Sequence, residues 1–499
     1  MKWDYYNIPY AGSSSPYRQK FWHPLIGNDL YYCSNRHLYL PLYHVWFSGL
    51  GLEGGHYSAQ IIESTDSGKT WSVVGARDFT FPRYLYLDTH FPTDRGGMSA
   101  MCNEEKIHLG MVCVVEDYWT LKYIQYNTKT NSWLNGEVVL RPQFGFEGVV
   151  QEEIYFATMR AFTKENGHTR LLLLYQITIP KGIEFLYGYF RERNSEDTVL
   201  VFNEVDVSPG GILTLIEHKE VVYIDHSEDA VSPLYCGMCF YRPNNVNGTP
   251  SYENPEIYLI YEEDMAGTWN DYEYFVNLTP AGVGHYLFKR VGGVWGSKQT
   301  LDFHYEEESE YYVPYETFNA IQNDNWFLLV SMISPRDYSS YGHCVSLAYN
   351  SEKDTVYNIE DVWIDPTYGS DLWNPCLTAS STGIVHLFYA DYSKPLAVMG
   401  HKTISLPDLL GSKINKWAAE KDIVIEWKHE PNPEDWWIDP YTTTDKIQSK
   451  FRLVVCGPRI PEIDPSGWGS LFYLEYGGGS AAIGPFTTSS FKTHDKYGG

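Results

Sequence analysis

Short runs of β-branched and aromatic residues, bounded by Gly, Pro, Asn and Asp, recur along the whole chain, whereas the i, i+3, i+4 spacing of an amphipathic helix is scarce. The pattern predicts an all-β fold. One kind of run appears six times: His37-Leu38-Tyr39-Leu40, Lys106-Ile107-His108-Leu109, Arg170-Leu171-Leu172-Leu173, Glu256-Ile257-Tyr258-Leu259, Trp326-Phe327-Leu328-Leu329 and Ile384-Val385-His386-Leu387. Aligned on Leu38, Ile107, Leu171, Ile257, Phe327 and Val385, the runs stand 69, 64, 86, 70 and 58 residues apart, a repeat whose loops vary in length.

Upstream of five of these runs lies a shorter one with small residues: Met98–Cys102, Phe156–Met159, Tyr235–Met238, Phe318–Ile321 and Cys376–Ala379, with Tyr32-Cys33-Ser34 as the sixth. Small side chains suit an innermost strand where several sheets converge on an axis. Cys33, Cys102, Cys236 and Cys376 fall in this class, which gives them a packing role. Downstream, a polar turn is followed by an aromatic at Trp71, Trp133, Trp295, Tyr357 and Trp417, and the long second gap leaves room for an unmarked unit near Val207 to Leu213. Both landmarks count six units, so the expected architecture is a six-bladed β-propeller of four-stranded blades with N- and C-terminal extensions. A pair of β-sandwiches is the competing arrangement. The expected boundaries are an arm at 1–24, the propeller at 25–425, and a β-rich extension with a Gly-rich arm at 426–499.

Composition narrows the function. The chain has 499 residues, 16% of them aromatic, and a formal charge of −26. Such a charge repels phosphate backbones and anionic headgroups, which argues against nucleic acid as a partner. No run reaches the 18 apolar residues of a membrane-spanning helix, so membrane insertion is not expected. The opening Met1-Lys2-Trp3-Asp4-Tyr5-Tyr6 lacks the apolar segment of an export signal, which fits assembly in a cytoplasm; secretion remains the alternative if a signal has been removed. Eight dispersed cysteines are too few for a disulfide scaffold, and the single Cys236-Gly237-Met238-Cys239 reads better as buried thiols than as half of a metal site. No cofactor and no metal site are expected, although Glu306-Glu307-Glu308 with Glu310 offers oxygen ligands for a structural calcium ion; a solvated charge run is the simpler reading.

Ser64-Thr65-Asp66-Ser67-Gly68-Lys69-Thr70-Trp71 resembles the Asp-box (BNR repeat) of sialidase-like propellers. Ser64 and Asp66 suit a turn that needs amide acceptors, Gly68 tolerates a positive φ, and Thr70 and Trp71 lead into a packed strand. Tyr126–Trp133 looks like a decayed copy. The resemblance implies a propeller whose boxes lie on the outer rim between third and fourth strands, away from any ligand. It does not carry sialidase activity: the only Arg-Ile-Pro is Arg459-Ile460-Pro461, after all six units, and an arginine triad cannot be assembled from sequence.

In a propeller the loops entering the innermost strands gather on one face. Here they contain His23, Asp29, His90, Asp94, Arg95, Glu152, Glu153, Asp225, His226, Glu316, Asp371 and Trp373, with Phe91, Tyr311, Tyr312 and Tyr368 among them. Carboxylates accept bidentate hydroxyl contacts and rings stack on apolar sugar faces, so the chemistry suggests carbohydrate recognition. Each acidic residue alone is more simply read as solvated or turn-capping. Asp94-Arg95-Gly96-Gly97 is the most pointed cluster, because the glycines admit close backbone approach and Arg95 can clamp a carboxylate or pair with Asp94. The first reading of function is a non-enzymatic recognition or assembly protein, a tail-associated bacteriophage virion propeller that binds cell-surface carbohydrate or other virion subunits. The alternative is a carbohydrate-active enzyme, a glycoside hydrolase or lyase of sialidase-like fold.

Overall fold

The computed structural model describes the strands below and their short turns; residues 8–17, 25–30, 49–54, 66–71, 81–96, 141–152, 225–234, 265–282, 302–311, 315–318, 336–341, 365–375, 392–397, 425–450, 453–470, 476–489 and 496–499, with scattered turn positions, lie outside the described residues. The described chain is almost wholly β, with one short 3-10 turn at Pro407–Gly411. Six sheets follow one another in sequence, each an antiparallel meander whose consecutive strands are neighbours.

Sheet 1 comprises Arg18–Pro24, Leu38–Ser48, Gly55–Ser64 and Ser72–Thr80, with Tyr31–Tyr32 also on the second strand. Sheet 2 comprises Gly97–Cys102, Lys106–Val115, Tyr118–Asn127 and Ser132–Trp133, the third strand also pairing Val138–Leu140. Sheet 3 comprises Glu153–Thr163, Thr169–Lys181, Ser195–Val207 and Leu213–Ile224. Sheet 4 comprises Tyr235–Val246, Thr249–Asp264, Val283–Val291 and Val294–Trp295, with Gln299–Thr300 added to the third strand. In sheet 5, Asn319–Asn323, Trp326–Pro335, Gly342–Asn350 and Thr355–Ile364 follow in order, and Tyr312–Pro314 pairs with Ile333–Pro335. Sheet 6 comprises Cys376–Ala379, Ile384–Asp391, Val398–Ser405 and Ala418–Ala419, with Ile423–Val424 on the third strand. The chain divides into two compact units, one of residues 87–318 and 333–339, the other of 1–86, 319–332 and 340–499. The second unit also holds a separate sheet that joins Lys2–Asn7 to Ser490–Asp495, Leu471–Glu475 and Phe451–Arg452.

The all-β expectation holds, and the sequence landmarks occupy equivalent places. Leu38, Ile107, Leu171, Ile257, Phe327 and Val385 all lie on second strands, and the last five are fully buried. Trp133, Trp295 and Tyr357 lie in fourth strands and Trp417 immediately precedes one. The unmarked unit is sheet 3, whose third-to-fourth turn is Ser208–Ile212.

Sheet 3 shows why second and third strands read as unbroken apolar runs. Its Leu171, Leu173, Val199, Val201 and Val205 pack with Ala100 and Tyr123 of sheet 2. The alternate residues Leu172, Leu174, Leu200 and Phe202 pack with Cys239, Ile257, Leu259 and Tyr261 of sheet 4. A strand buried on both faces has no solvated side to mark with polar residues. Each fully buried Leu or Val contributes about 1.5–3 kcal/mol, so neither face can be left open.

Polar clasps close the turns. The Thr128 amide and hydroxyl donate to Glu105 O at 2.8 and 3.0 Å, and Ser351 does the same to Asn325 O at 2.8 and 3.0 Å. Asn127 and Asn350, one residue earlier, each accept two turn amides through Oδ1. Asn131 and Asp354 take φ of 46° and 50°, a conformation that Asn and Asp tolerate. Tyr126-Asn127-Thr128 and Tyr349-Asn350-Ser351 are thus one device used twice, with Trp133 edge-on to Tyr126 and Tyr357 tilted against Trp326.

The Cys-x-x-Cys segment lies in the first strand of sheet 4, where positions three apart sit on opposite faces. Cys239 is fully buried, donates to Leu172 O at 3.5 Å, and burial pushes its thiol up to about 11. Gly237 faces the second strand so closely that a Cβ would come within 2.6 Å of Tyr261 Cβ and 2.7 Å of Ile260 O. Gly237→Ala is therefore expected to destabilise the fold by about 1–3 kcal/mol through overpacking, read as a lower urea midpoint with unchanged slope; a midpoint equal to wild type would show that the two strands can separate without cost.

Candidate functional site

The connections between sheets carry the candidate residues. His90, Asp94 and Arg95 lie in 81–96 between sheets 1 and 2, and Glu152 in 141–152 between sheets 2 and 3. Asp225 and His226 lie in 225–234 between sheets 3 and 4, Glu316 in 315–318 ahead of the Asn319–Asn323 strand, and Asp371 and Trp373 in 365–375 between sheets 5 and 6. Asp29 precedes Tyr31–Tyr32. All these residues lie outside the described residues. His23 is in the first strand of sheet 1 opposite Tyr43, and Glu153 opens the first strand of sheet 3 opposite Thr178. Most of the candidates thus share one position along the chain, ahead of a first strand, whereas His23 lies near the end of a first strand and Asp29 follows it. Ser64 ends the third strand of sheet 1 and is buried, and Ser72 opens the fourth; Asp66, Gly68, Thr70 and Trp71 between them lie outside the described residues.

Charge is concentrated in the same connections. Residues 25–30, 81–96, 141–152, 225–234, 302–311, 315–318 and 365–375 contain sixteen Asp or Glu against three Arg and no Lys, a net −13 out of the chain's −26. Aromatics accompany them in five of these seven connections, from Tyr84 and Phe91 to Tyr368 and Trp373.

Charged side chains cluster where sheets 3 and 4 meet. Arg290, at the end of a third strand, donates to Glu204 Oε2 at 2.6 Å and to Glu217, while Trp295 Nε1 donates to Glu217 Oε1 at 2.5 Å. The guanidinium also lies 5.6 Å from the Trp295 ring. Arg170 Nε stands 3.2 Å from Asp206, whose other oxygen meets His168 Nδ1 at 2.6 Å. Beside them, Lys219 and Lys298 sit over Phe288 and Tyr286. Isolated charges within strands gave no signal in the sequence, and this cluster was missed there. Its carboxylates are already engaged with cations, so it joins sheets rather than performing acid–base chemistry.

Two histidine–carboxylate pairs have the make-up of a catalytic dyad, yet they recur as a turn device. His37 Nδ1 meets Glu63 at 2.7 Å and His168 meets Asp206, and each histidine amide bonds the Oδ1 of an Asn two residues earlier, Asn35 or Asn166, at 3.0 Å. Both precede a second strand and close on a third, so one structural role explains both. Tyr39, fully buried beside the first pair, has its hydroxyl raised well above its ordinary pKa by burial and then by Glu63. His218, which meets Asn203 Oδ1 at 2.9 Å, is lowered by burial. Among the described residues no group of three or more His, Cys, Asp and Glu is placed to hold a metal ion.

His108 is the extreme case: fully buried, Nδ1 2.5 Å from the Tyr123 hydroxyl, it is held neutral with a pKa of about 3, first by burial and then by Lys106.

No protein-family model and no curated protein matches the chain. Among solved structures, it is similar to polysaccharide lyase Uly1, at 11% identity over 98% of this chain and 92% of that one with a TM-score of 0.44. An ulvan lyase of polysaccharide lyase family PL25 matches at 9% identity over 91% and 89%, with a TM-score of 0.45. The α-L-arabinofuranosidase Arb93A from Fusarium graminearum matches at 11% over 81% and 98%, with a TM-score of 0.36. These likenesses assign neither substrate nor reaction. They do overturn the first reading of the sequence, a non-enzymatic bacteriophage virion protein, because the names are those of carbohydrate-active enzymes. The acidity, terminal arms and missing export segment that suggested a virion are compatible with either class, which is why they misled.

Two outcomes test the resolved groups. Arg290→Met strands the buried Glu204 and should cost about 3–5 kcal/mol in urea unfolding, with a smaller loss for Glu204→Gln; a loss below about 1 kcal/mol for Arg290→Met would show the cluster to be solvated. For His108 the unfolded chain takes up a proton near pH 6.5 that the folded chain refuses until about pH 3, so stability falls as pH drops through that window. The stability gap between wild type and His108→Gln, measured by urea unfolding at several pH values, should be constant above about pH 7 and shrink on acidification; a gap that widens would contradict a neutral His108.

Proposed function

We propose that the chain is a carbohydrate-active enzyme, a glycoside hydrolase acting on an uncharged glycan, with its six sheets arranged radially as the blades of a propeller and its active site among the loops that enter the first strands. Six consecutive four-stranded meanders, one of them packed on both faces by its sequence neighbours, support the architecture. Radial repetition brings the entering loops of every blade to one face.

The observation that carries the reading is the sixteen-to-three excess of carboxylates over arginines in the connections, interleaved with aromatics. Glycoside hydrolysis needs two carboxyl groups flanking the bond, about 5–5.5 Å apart when configuration is retained and about 6.5–9.5 Å when it is inverted. Asp94, Glu152, Glu153, Asp225, Glu316 and Asp371 supply the chemical type, and Trp373 with neighbouring rings supplies stacking surfaces. The names of the similar structures include lyases and an arabinofuranosidase. Charge favours the hydrolase: an anionic polysaccharide would approach a strongly negative face, with few cations to neutralise its acid groups.

Wild-type protein incubated with arabinan, levan and polygalacturonate should release reducing ends from a neutral polymer. Asp94→Asn, Asp225→Asn and Asp371→Asn, each folded by circular dichroism, should include at least one whose rate falls by about 10²–10⁴-fold. No release from a neutral polymer, or ultraviolet-absorbing unsaturated products from polygalacturonate, would overturn the hydrolase reading.

A further inference from the structure

Exposed apolar side chains are concentrated at one place in the fold. Seven large hydrophobic residues are exposed among the described residues, and six of them, Ile212, Leu215, Ile216, Tyr252, Val291 and Val294, lie toward one end of sheets 3 and 4. Ile212 and Val294, in the two third-to-fourth turns, are 70% and 71% exposed. The equivalent turns of sheets 2 and 5 show water the opposite character, with Lys129, Thr130 and Asn131 exposed in one and Glu352, Lys353 and Asp354 in the other. The turn itself therefore does not call for apolar residues, and two neighbouring sheets carry them for another reason.

Polar contacts hold these residues in one surface. Glu217, two residues past Leu215, accepts from Arg290 and from Trp295 Nε1, the residues just before Val291 and just after Val294. Thr169 pairs with Val207, so turn 164–168 lies at the same end of sheet 3 as turn 208–212. Lys164 reaches Glu253 at 2.7 Å, and the Tyr252 ring lies 6.1 Å from those of Phe162 and Tyr241, which brings the first hairpin of sheet 4 to that end as well. A contiguous exposed apolar patch rimmed by polar residues marks an interaction surface.

Charge narrows what can cover it. Segments 163–169, 207–217, 247–256 and 289–298 contain four acidic and four basic residues, so this end is neutral in a chain of −26. The acidic connection 225–234 begins after Ile224, at the far end of a strand of 12 residues and about 35 Å from Leu213. Charge is screened over about 8 Å at physiological ionic strength, so two copies can meet at this end without the repulsion their net charge implies. A strongly basic or acidic partner would find no excess of counter-charge. An apolar centre whose rim carries both signs is complementary to itself, with lysines of one copy free to face glutamates of the other.

We propose that this end of sheets 3 and 4 is a docking surface for a second copy of the chain, related to the first by a two-fold axis. Such a contact buries the same patch on both copies and leaves none over, so assembly stops at two. Standard interfaces cover about 800 Å² on each partner. Two sheet ends, each about 15 Å wide and about 10 Å apart, supply less, so the dimer is weak and reversible, in the micromolar range. It is independent of the hydrolase reading, because it uses none of the entering loops.

Sedimentation velocity of the full chain from about 1 to about 200 µM in 0.15 M NaCl should show a shift from one chain to two, no weaker in 0.5 M NaCl, as apolar contact requires. Ile212→Glu and Val294→Glu should each raise the dissociation constant at least tenfold, whereas Thr130→Glu, in the equivalent turn of sheet 2, should leave it unchanged. Should a glutamate variant fail to fold by circular dichroism, Ile212→Ser and Val294→Ser give the same reading with at least a threefold effect. A chain that stays single at the highest concentration, a dimer that survives in the folded variants, or growth past two copies overturns the proposal. So does binding of the wild-type chain to phosphatidylcholine vesicles that is lost in Val294→Glu, which would give the patch to a lipid surface. The Val294→Glu monomer is also the form whose scattering reports on a single chain.

Discussion

The constraint on which everything else rests is that a four-stranded meander with two apolar faces cannot stand alone. Sheet 3 places Leu171 and Leu173 with Tyr123 of sheet 2, and Leu172 and Leu174 with Ile257 and Leu259 of sheet 4. Adding a neighbour on one side leaves the other face in water, so sheet 3 needs a neighbour on each side. The six-unit repeat in the sequence is the trace of that demand.

Once stacking is fixed by apolar residues, the polar residues divide into two tasks. Those in the tight turns between first and second and between third and fourth strands hold the sheets together: the Asn127 and Asn350 turns, the His37–Glu63 and His168–Asp206 pairs, and the Arg290 cluster. They are engaged with partners or buried, and their chemistry is consumed in place. In the connections to the next sheet, half of the chain's net charge collects.

What the sequence disclosed follows from the same physics. The six second-strand runs were legible because residues such as Leu171 to Leu174 are buried on both faces and so form continuous apolar stretches. The aromatic after the turn was legible at Trp133 and Trp295 because it packs against Tyr126 and Phe288. It failed in sheet 3, where Ile212, Leu215 and Ile216 around the same turn are exposed. The kinship of Tyr126-Asn127-Thr128 with Tyr349-Asn350-Ser351 stood in the sequence, although the aromatics that follow, Trp133 and Tyr357, differ. The pairing of Lys2–Asn7 with Ser490–Asp495 had no local signal, because a ladder between such distant segments depends on register rather than on either segment's pattern. The candidate site residues were legible only as a class, since whether loop carboxylates such as Asp94 and Asp371 come together depends on distances that neighbouring positions do not encode.

Small-angle X-ray scattering tests the radial arrangement most directly. Six sheets closed about a common axis give one compact particle, with a radius of gyration of about 23 Å for 499 residues and a single maximum in the distribution of interatomic distances. A markedly larger radius with a second maximum, the signature of two separated bodies, would contradict closure and with it the convergence of the entering loops.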